Sequence, residues 1–161
     1  MHLQTRKVLL ARATFSPNNQ WLKQQVRHAL WLCEEQNIKP RFFLHDNDMN
    51  SILRASGVDT IKTPFQAPNA NAHAERYVLN CKKECLNHLL IFGLNRLQHV
   101  VDCYTSYFNE HRPHQGIANR IPVEYNKPHN RQDSFTAKVN TRNIICQDFL
   151  GGLLKSYKRA A

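Results

Sequence analysis

The sequence predicts an α/β domain. Three observations carry that reading: strand-like runs alternate with stretches of helical apolar period, hydrophobic residues make up 42% of the 161, and no apolar run approaches membrane length. A chain of this size and apolar content can bury a core of its own. A membrane helix needs ~20 apolar residues, whereas the longest run here is the six of Leu89–Leu94, with Gly93 inside it.

Residues 4–15 alternate loosely and are rich in Val, Leu and Thr, which predicts a strand ended by Ser16-Pro17-Asn18. Over residues 18–36 the apolar positions Leu22, Val26, Ala29 and Cys33 recur at i, i+4, i+7 and i+11, the buried stripe of a helix, with Gln24, Arg27 and Glu34 away from it. Trp21 and Trp31 are expected in the core and interface of that helix, which Asn37-Ile38-Lys39-Pro40 closes. Arg41–His45 is then a short buried strand running into Asp46-Asn47-Asp48. In open α/β sheets, sites lie at the C-terminal ends of strands.

A helical segment near Ser51–Ser56 leads through Gly57 to a second strand, Val58–Thr63, and to the proline-stiffened loop Pro64–Asn69. From about Asn71 to Leu90 the residues Ala74, Val78, Cys81, Cys85 and Leu89 form an apolar stripe on what should be the longest helix, capped by Asn69 or Asn71 and stopped by Gly93. A further amphipathic helix, Asn95–Glu110, should bury Leu97, Val101, Tyr104 and Phe108 before Arg112-Pro113 ends it. Residues 111–161 read as loop resolving into a β-hairpin with Gly151-Gly152 as its turn.

Lys and Arg number 22 against 12 Asp and Glu, a net charge of +10, which points to a polyanion, nucleic acid first, as partner. The excess is spread along the chain, with 10 basic and 6 acidic side chains in residues 1–80 and 12 and 6 in residues 81–161. Arg12 interrupts the N-terminal apolar stretch too early for a secretory segment. A cytoplasmic, nucleoid-associated protein is therefore expected, its five cysteines reduced thiols.

Two acidic residues stand out. Asp46 ends a strand and Glu75 lies near the start of the long helix, and carboxylates from two elements can share divalent cations. Two metals ~3.5–4 Å apart clamp the attacking and leaving oxygens of an in-line phosphoryl displacement. Hard oxygen ligands suit Mg²⁺ or Mn²⁺. Taken as a bare pair, the two residues read first as plain surface charges.

The surrounding words are more specific. The run KTPFQAPNANAHAER over residues 62–76, then Lys83-Glu84-Cys85-Leu86, then YFNEHRPHQG over residues 107–116, resembles the integrase core of insertion-sequence DDE transposases, in the retroviral-integrase superfamily. The resemblance extends through Arg120–Tyr125 and Leu150–Leu154 with Tyr157, and back to Trp21, Gln24, Gln25 and Arg27. It implies a ribonuclease-H-like core over residues 1–125 and a C-terminal extension, residues 126–161, that carries the hairpin. It also implies strand cleavage and transfer on double-stranded DNA. By this resemblance Asp46 matches the second catalytic Asp and Glu75 the catalytic Glu, both ligands of Mg²⁺ or Mn²⁺. Lys82 follows Glu75 by seven residues, ~20° away around a helix, so its ammonium can approach the same phosphates. Arg76 and Lys83 flank that face, and His111, Arg112 and His114 are further candidates for DNA contact.

Two departures qualify the resemblance. The family's first catalytic Asp lies on a strand upstream of the one that residues 4–15 resemble, and its helix-turn-helix lies further upstream still; neither is in this sequence. Only 28 residues separate Asp46 from Glu75, fewer than is usual in the family, with the shortfall around Met49–Ser56. The expectation is thus an integrase core lacking its first strands, a fragment inactive alone that associates with its own copies or with an intact transposase. The alternative is a non-catalytic DNA-binding protein that associates with such an enzyme. Two smaller alternatives concern other residues. Cys81, Cys85 and His88, with Cys103, have the spacing of zinc ligands, against their packing as small hydrophobes. His45 is either a ligand or base beside Asp46 or, facing the other way, structural.

Overall fold

Asn18 starts the first helix: its side-chain oxygen accepts the Trp21 N–H at 2.8 Å, and α1 runs Asn19–Glu35. Val26 and Cys33 are buried on its predicted stripe. Trp31 differs from expectation: it is 52% exposed, its ring tilted against that of His28 at 5.7 Å. Asn37, in the left-handed region (φ 53°), turns the chain so that Ile38 N–H returns to the Cys33 carbonyl.

The computed structural model describes residues 1–45, 53–54, 57–62, 71–127 and 144–160. Two strands follow α1, β1 (Phe42–His45) and β2 (Asp59–Lys62), paired in parallel with Phe42 opposite Asp59 and His45 opposite Lys62. Leu53 and Val58 from their connection pack on Val26, with Leu30 and Phe43 around them. One small core therefore joins this sheet to α1. His45 is buried and faces Phe43 ring to ring at 6.5 Å, in keeping with its structural reading. Most of the predicted helical segment at 51–56, and the loop from Thr63 to Asn69, lie outside the described residues.

Helix α2 is Ala72–Glu84, shorter than predicted, because the chain departs from helical geometry at Cys85 (φ −135°, ψ −68°) and continues as a 3-10 turn, Leu86–His88. It is not the longest helix, since α1 and α3 (Leu94–Glu110) each have 17 residues. Asn71 caps α2 without a side-chain hydrogen bond, and Gly93, with φ 82°, begins α3 rather than ending the helix before it. The α2 stripe is also shifted: Tyr77 is buried with Cys81 and Cys85, while Val78 is 48% exposed. The shift follows from the partner, because Tyr77 packs on α3 against Tyr104 and edge-on to Phe108 at 5.0 Å. Val8, Val100 and Leu154 complete this main core around Tyr104, which is wholly buried.

The strand predicted over residues 4–15 does not form as a ladder, because among the described residues no strand lies beside it. Side-chain amides of α3 take that role. Asn109 accepts the Val8 N–H and donates to the Val8 carbonyl, both at 2.9 Å. Gln98 accepts the Ala13 N–H at 2.9 Å and donates to the Ala11 carbonyl at 3.1 Å. Eleven helical residues separate the two amides, about 16 Å of axis, a span that residues 8–13 cover as near-extended chain.

The predicted hairpin is present. Strands β3 (Ile144–Phe149) and β4 (Leu154–Arg159) pair antiparallel from Phe149–Leu154 to Ile144–Arg159. Gly151 and Gly152 supply positive φ (69° and 89°) at the turn. Its turn end rests on the main core, with Leu154 buried there and Phe149 edge-on to Tyr107 at 5.5 Å.

Candidate nucleic-acid interface

One face of α2 is committed to the core through Tyr77 and Cys81, so the other face stands in solvent. That outer face carries Glu75, Arg76, Lys82 and Lys83, all exposed. Glu75 lies in the first turn and the two lysines in the last, each of the charge sign that its end of the helix dipole favours. Among the described residues none of the four enters an ion pair. Three cations and one carboxylate thus line about two turns of one helix, and the surface can meet phosphates without breaking an internal ion pair.

The segment after α3 has a different character. Arg112 donates to Glu84 at 2.5 Å across the α2–α3 contact, and Tyr104 donates to the other Glu84 oxygen at 3.0 Å. The Arg112 guanidinium also lies over the Phe108 ring, 5.7 Å from its centroid. Burial, and then the Glu84 charge and hydrogen bond, push the Tyr104 hydroxyl far above its ordinary value, so it stays a donor. His114 is held by the Phe108 carbonyl at 3.1 Å and stands edge-on to that ring at 4.3 Å. Burial holds its pKa below the ordinary value; Arg112 and Arg6 act in the same direction, while the Phe108 hydrogen bond and Glu84 oppose. His111 stacks on Tyr107 and leans on Phe149. Burial, then Lys158, lower its pKa as well. Arg120 donates to the Tyr125 carbonyl at 2.8 Å, and the Arg6 guanidinium lies where a Cβ at Gly116 would meet it. The three candidate DNA-contact residues of this loop are therefore built into its packing.

The carboxylate pair cannot be assembled from the described residues, because Asp46 lies outside them. Among those residues, no three His, Cys, Asp or Glu converge as metal ligands do, so no step is derived through a metal. The cysteines follow their packing reading. Burial pushes the Cys81 thiol up to about 12 and that of Cys85 to about 11, and His88 bonds the Lys83 carbonyl at 2.8 Å instead of joining them.

Three residues central to this geometry were not singled out from sequence: Glu84, Asn109 and Gln98. Each acts through a partner distant in the chain, and no local period marks a polar side chain for that role.

Residues 56–122, less than half of the chain, match the integrase core domain family, a family of DNA integration and transposition whose substrate is DNA. The matched stretch contains β2, α2, α3 and the loop through Pro122. No curated protein and no solved structure matches the chain. Among the described residues, no helix is long and apolar enough to cross a membrane.

Proposed function

We propose that this protein serves DNA transposition as an integrase core of the insertion-sequence DDE type, with double-stranded DNA as its substrate. The match of residues 56–122 to the integrase core carries this reading, because that stretch includes Glu75 together with the exposed cations of α2. In this reading residues 1–125 are a ribonuclease-H-like core and residues 126–161 its extension. Asp46 and Glu75 would hold Mg²⁺ or Mn²⁺, and such an ion, when bound, would supply Lewis-acid chemistry at a phosphate. Arg76, Lys82 and Lys83 take the DNA backbone, since they are exposed and, among the described residues, outside every ion pair. Arg112 and His114 are positioning residues that fix the loop beside that face, with His111 between them and the hairpin.

Duplex binding followed by gel shift between 50 and 200 mM salt tests the partner. Binding should weaken steeply with salt, and Arg76→Ala, Lys82→Ala and Lys83→Ala together should flatten the log–log slope by ~1 for each phosphate that the triple variant no longer neutralises. A flat salt dependence of the native chain overturns the nucleic-acid reading. Nicking of supercoiled DNA with Mg²⁺, abolished by Glu75→Gln, supports the catalytic role. Salt-sensitive binding with no nicking by the chain alone fits a fragment inactive alone; if Glu75→Gln also leaves unaltered the nicking by a mixture with an intact transposase, a non-catalytic DNA-binding protein that accompanies such an enzyme replaces that role.

A further inference from the structure

The C-terminal hairpin lies outside residues 56–122, the stretch that matches the integrase core. Past Phe149 every residue of β3 is exposed, and past Leu154 the only buried residue of β4 is Ser156. The register defines two faces, because opposite residues of an antiparallel pair point the same way and successive residues alternate. Ser156 faces the body, as does Lys158 two residues on, whose charge bears on His111. The outer face carries Lys155, Tyr157 and Arg159 of β4, opposite Asp148, Cys146 and Ile144 of β3. On that face the Cys146 thiol reaches Asp148 at 3.5 Å, and Tyr157 is 65% exposed. Among the described residues neither Lys155 nor Arg159 enters an ion pair. A two-stranded ribbon is marginal by itself in water, yet this one shows Ile144 and Tyr157 to solvent with two free cations beside them.

We propose that this outer face lies in the major groove of duplex DNA, with Lys155 and Arg159 on phosphates and Tyr157 against the base edges. It rests on double-stranded DNA as the partner, and adds to the α2 cations a second contact surface contributed by the hairpin. The major groove of B-DNA, about 12 Å wide, admits a two-stranded ribbon. Side chains of one face recur every ~6.8 Å along a strand, which equals two base-pair steps of ~3.4 Å. Lys155, Tyr157 and Arg159 can therefore keep step with the groove over about four base-pair steps. Ile144 meets the apolar group that this groove presents, the thymine methyl. A second copy of the chain fits less well, because a twofold axis would set this face against itself, two cations and one carboxylate on each side, with net repulsion.

The probe is a mixed-sequence duplex with 5-iodouracil in place of thymine, irradiated with the full chain at low salt. Iodine takes the position of the thymine methyl, so it reports on the major groove alone. The crosslink should map to Tyr157, and Tyr157→Leu, at an exposed position, should abolish it with the thermal midpoint unchanged. Duplex should slow maleimide alkylation of Cys146, the exposed thiol of this face, at least fivefold. Lys155→Ala with Arg159→Ala should weaken binding at least tenfold and lower the log–log salt slope by about 2. Salt-sensitive binding with Cys146 alkylated as fast as in the free chain overturns the hairpin contact and leaves the DNA reading standing. Protection of Cys146 without a Tyr157 crosslink overturns the major-groove placement. No duplex binding at any salt overturns the proposal together with the DNA reading. Cys146 already protected without DNA, in a chain that sediments as a dimer, overturns it by assigning the face to a second copy.

Discussion

Residues 8–13 and the C-terminal hairpin are both extended chain resting on the same core, yet they satisfy their backbones in opposite ways. The hairpin closes six residue pairs on itself across a four-residue turn, and Phe149 and Leu154 tie its turn end to the body. The N-terminal segment has no ladder and depends on two amide side chains of α3, contributed from positions 85 to 101 residues away. The first kind of order is local and survives small changes elsewhere. The second stands or falls with individual side chains, because each amide satisfies two backbone groups at once. An amide in that position acts as a one-residue strand, and it leaves the intervening backbone groups open to other partners.

The contrast can be broken at its common support. Tyr104 touches both halves of the aromatic core and is fully buried, in one cluster with Val8 and Leu154. Tyr104→Ala should cost about 3–5 kcal/mol, as other buried aromatic truncations do, and loosen both regions in urea denaturation. Asn109→Ala should separate them. It removes two hydrogen bonds and leaves the Val8 N–H and C=O buried without partners, a loss of about 2–4 kcal/mol. Amide exchange should then rise over residues 8–13 while that of β3 and β4 is unchanged. Gly152→Ala should do the reverse, since φ of 89° strains any residue with a Cβ; the expected loss is about 1 kcal/mol, read as faster exchange confined to the hairpin.

The smallest effect is on pH. Burial lowers the folded pKa of His114, so the unfolded chain takes up its proton first and stability falls as the medium is acidified. The contribution of His114 is complete above its unfolded value of 6.5 and is lost as pH falls through the lowered folded value. A thermal midpoint that drops from pH 7.5 to pH 5, with a shallower drop in His114→Gln, is the expected outcome. His111, lowered by burial and then by Lys158 of β4, should add a loss of the same sign at the hairpin.

What the sequence made legible follows the same division. The hairpin could be read in advance because its signal is local, two glycines between alternating runs, and α1 because its stripe of Val26 and Cys33 repeats within one helix. The α2 stripe was misplaced by one position: Val78 and Tyr77 both fit helical spacing, and only the rings of Tyr104 and Phe108 on another helix decide between them. Residues 4–15 have a strand's composition, but composition does not reveal whether a neighbour exists to pair with. At the candidate interface, helical spacing from Glu75 marks Lys82 as a DNA contact, and the Arg-Pro loop with the family resemblance marks Arg112 and His114. Packing separates them, since Glu84 and Phe108 engage the first two and leave Lys82 in solvent.

The clamp of Asn109 on Val8 also sets a timetable for the growing chain. Val8-Leu9-Leu10-Ala11 leaves the ribosome well before its amide partner, which is synthesised 101 residues later. At roughly 5–20 residues per second that is a wait of about 5–20 s, during which an apolar stretch with unspent backbone groups is offered to its surroundings. The hairpin has no such interval, since its two strands emerge together. Nascent chains should therefore be recognised by chaperones through residues 8–11, and released when the end of α3 is made.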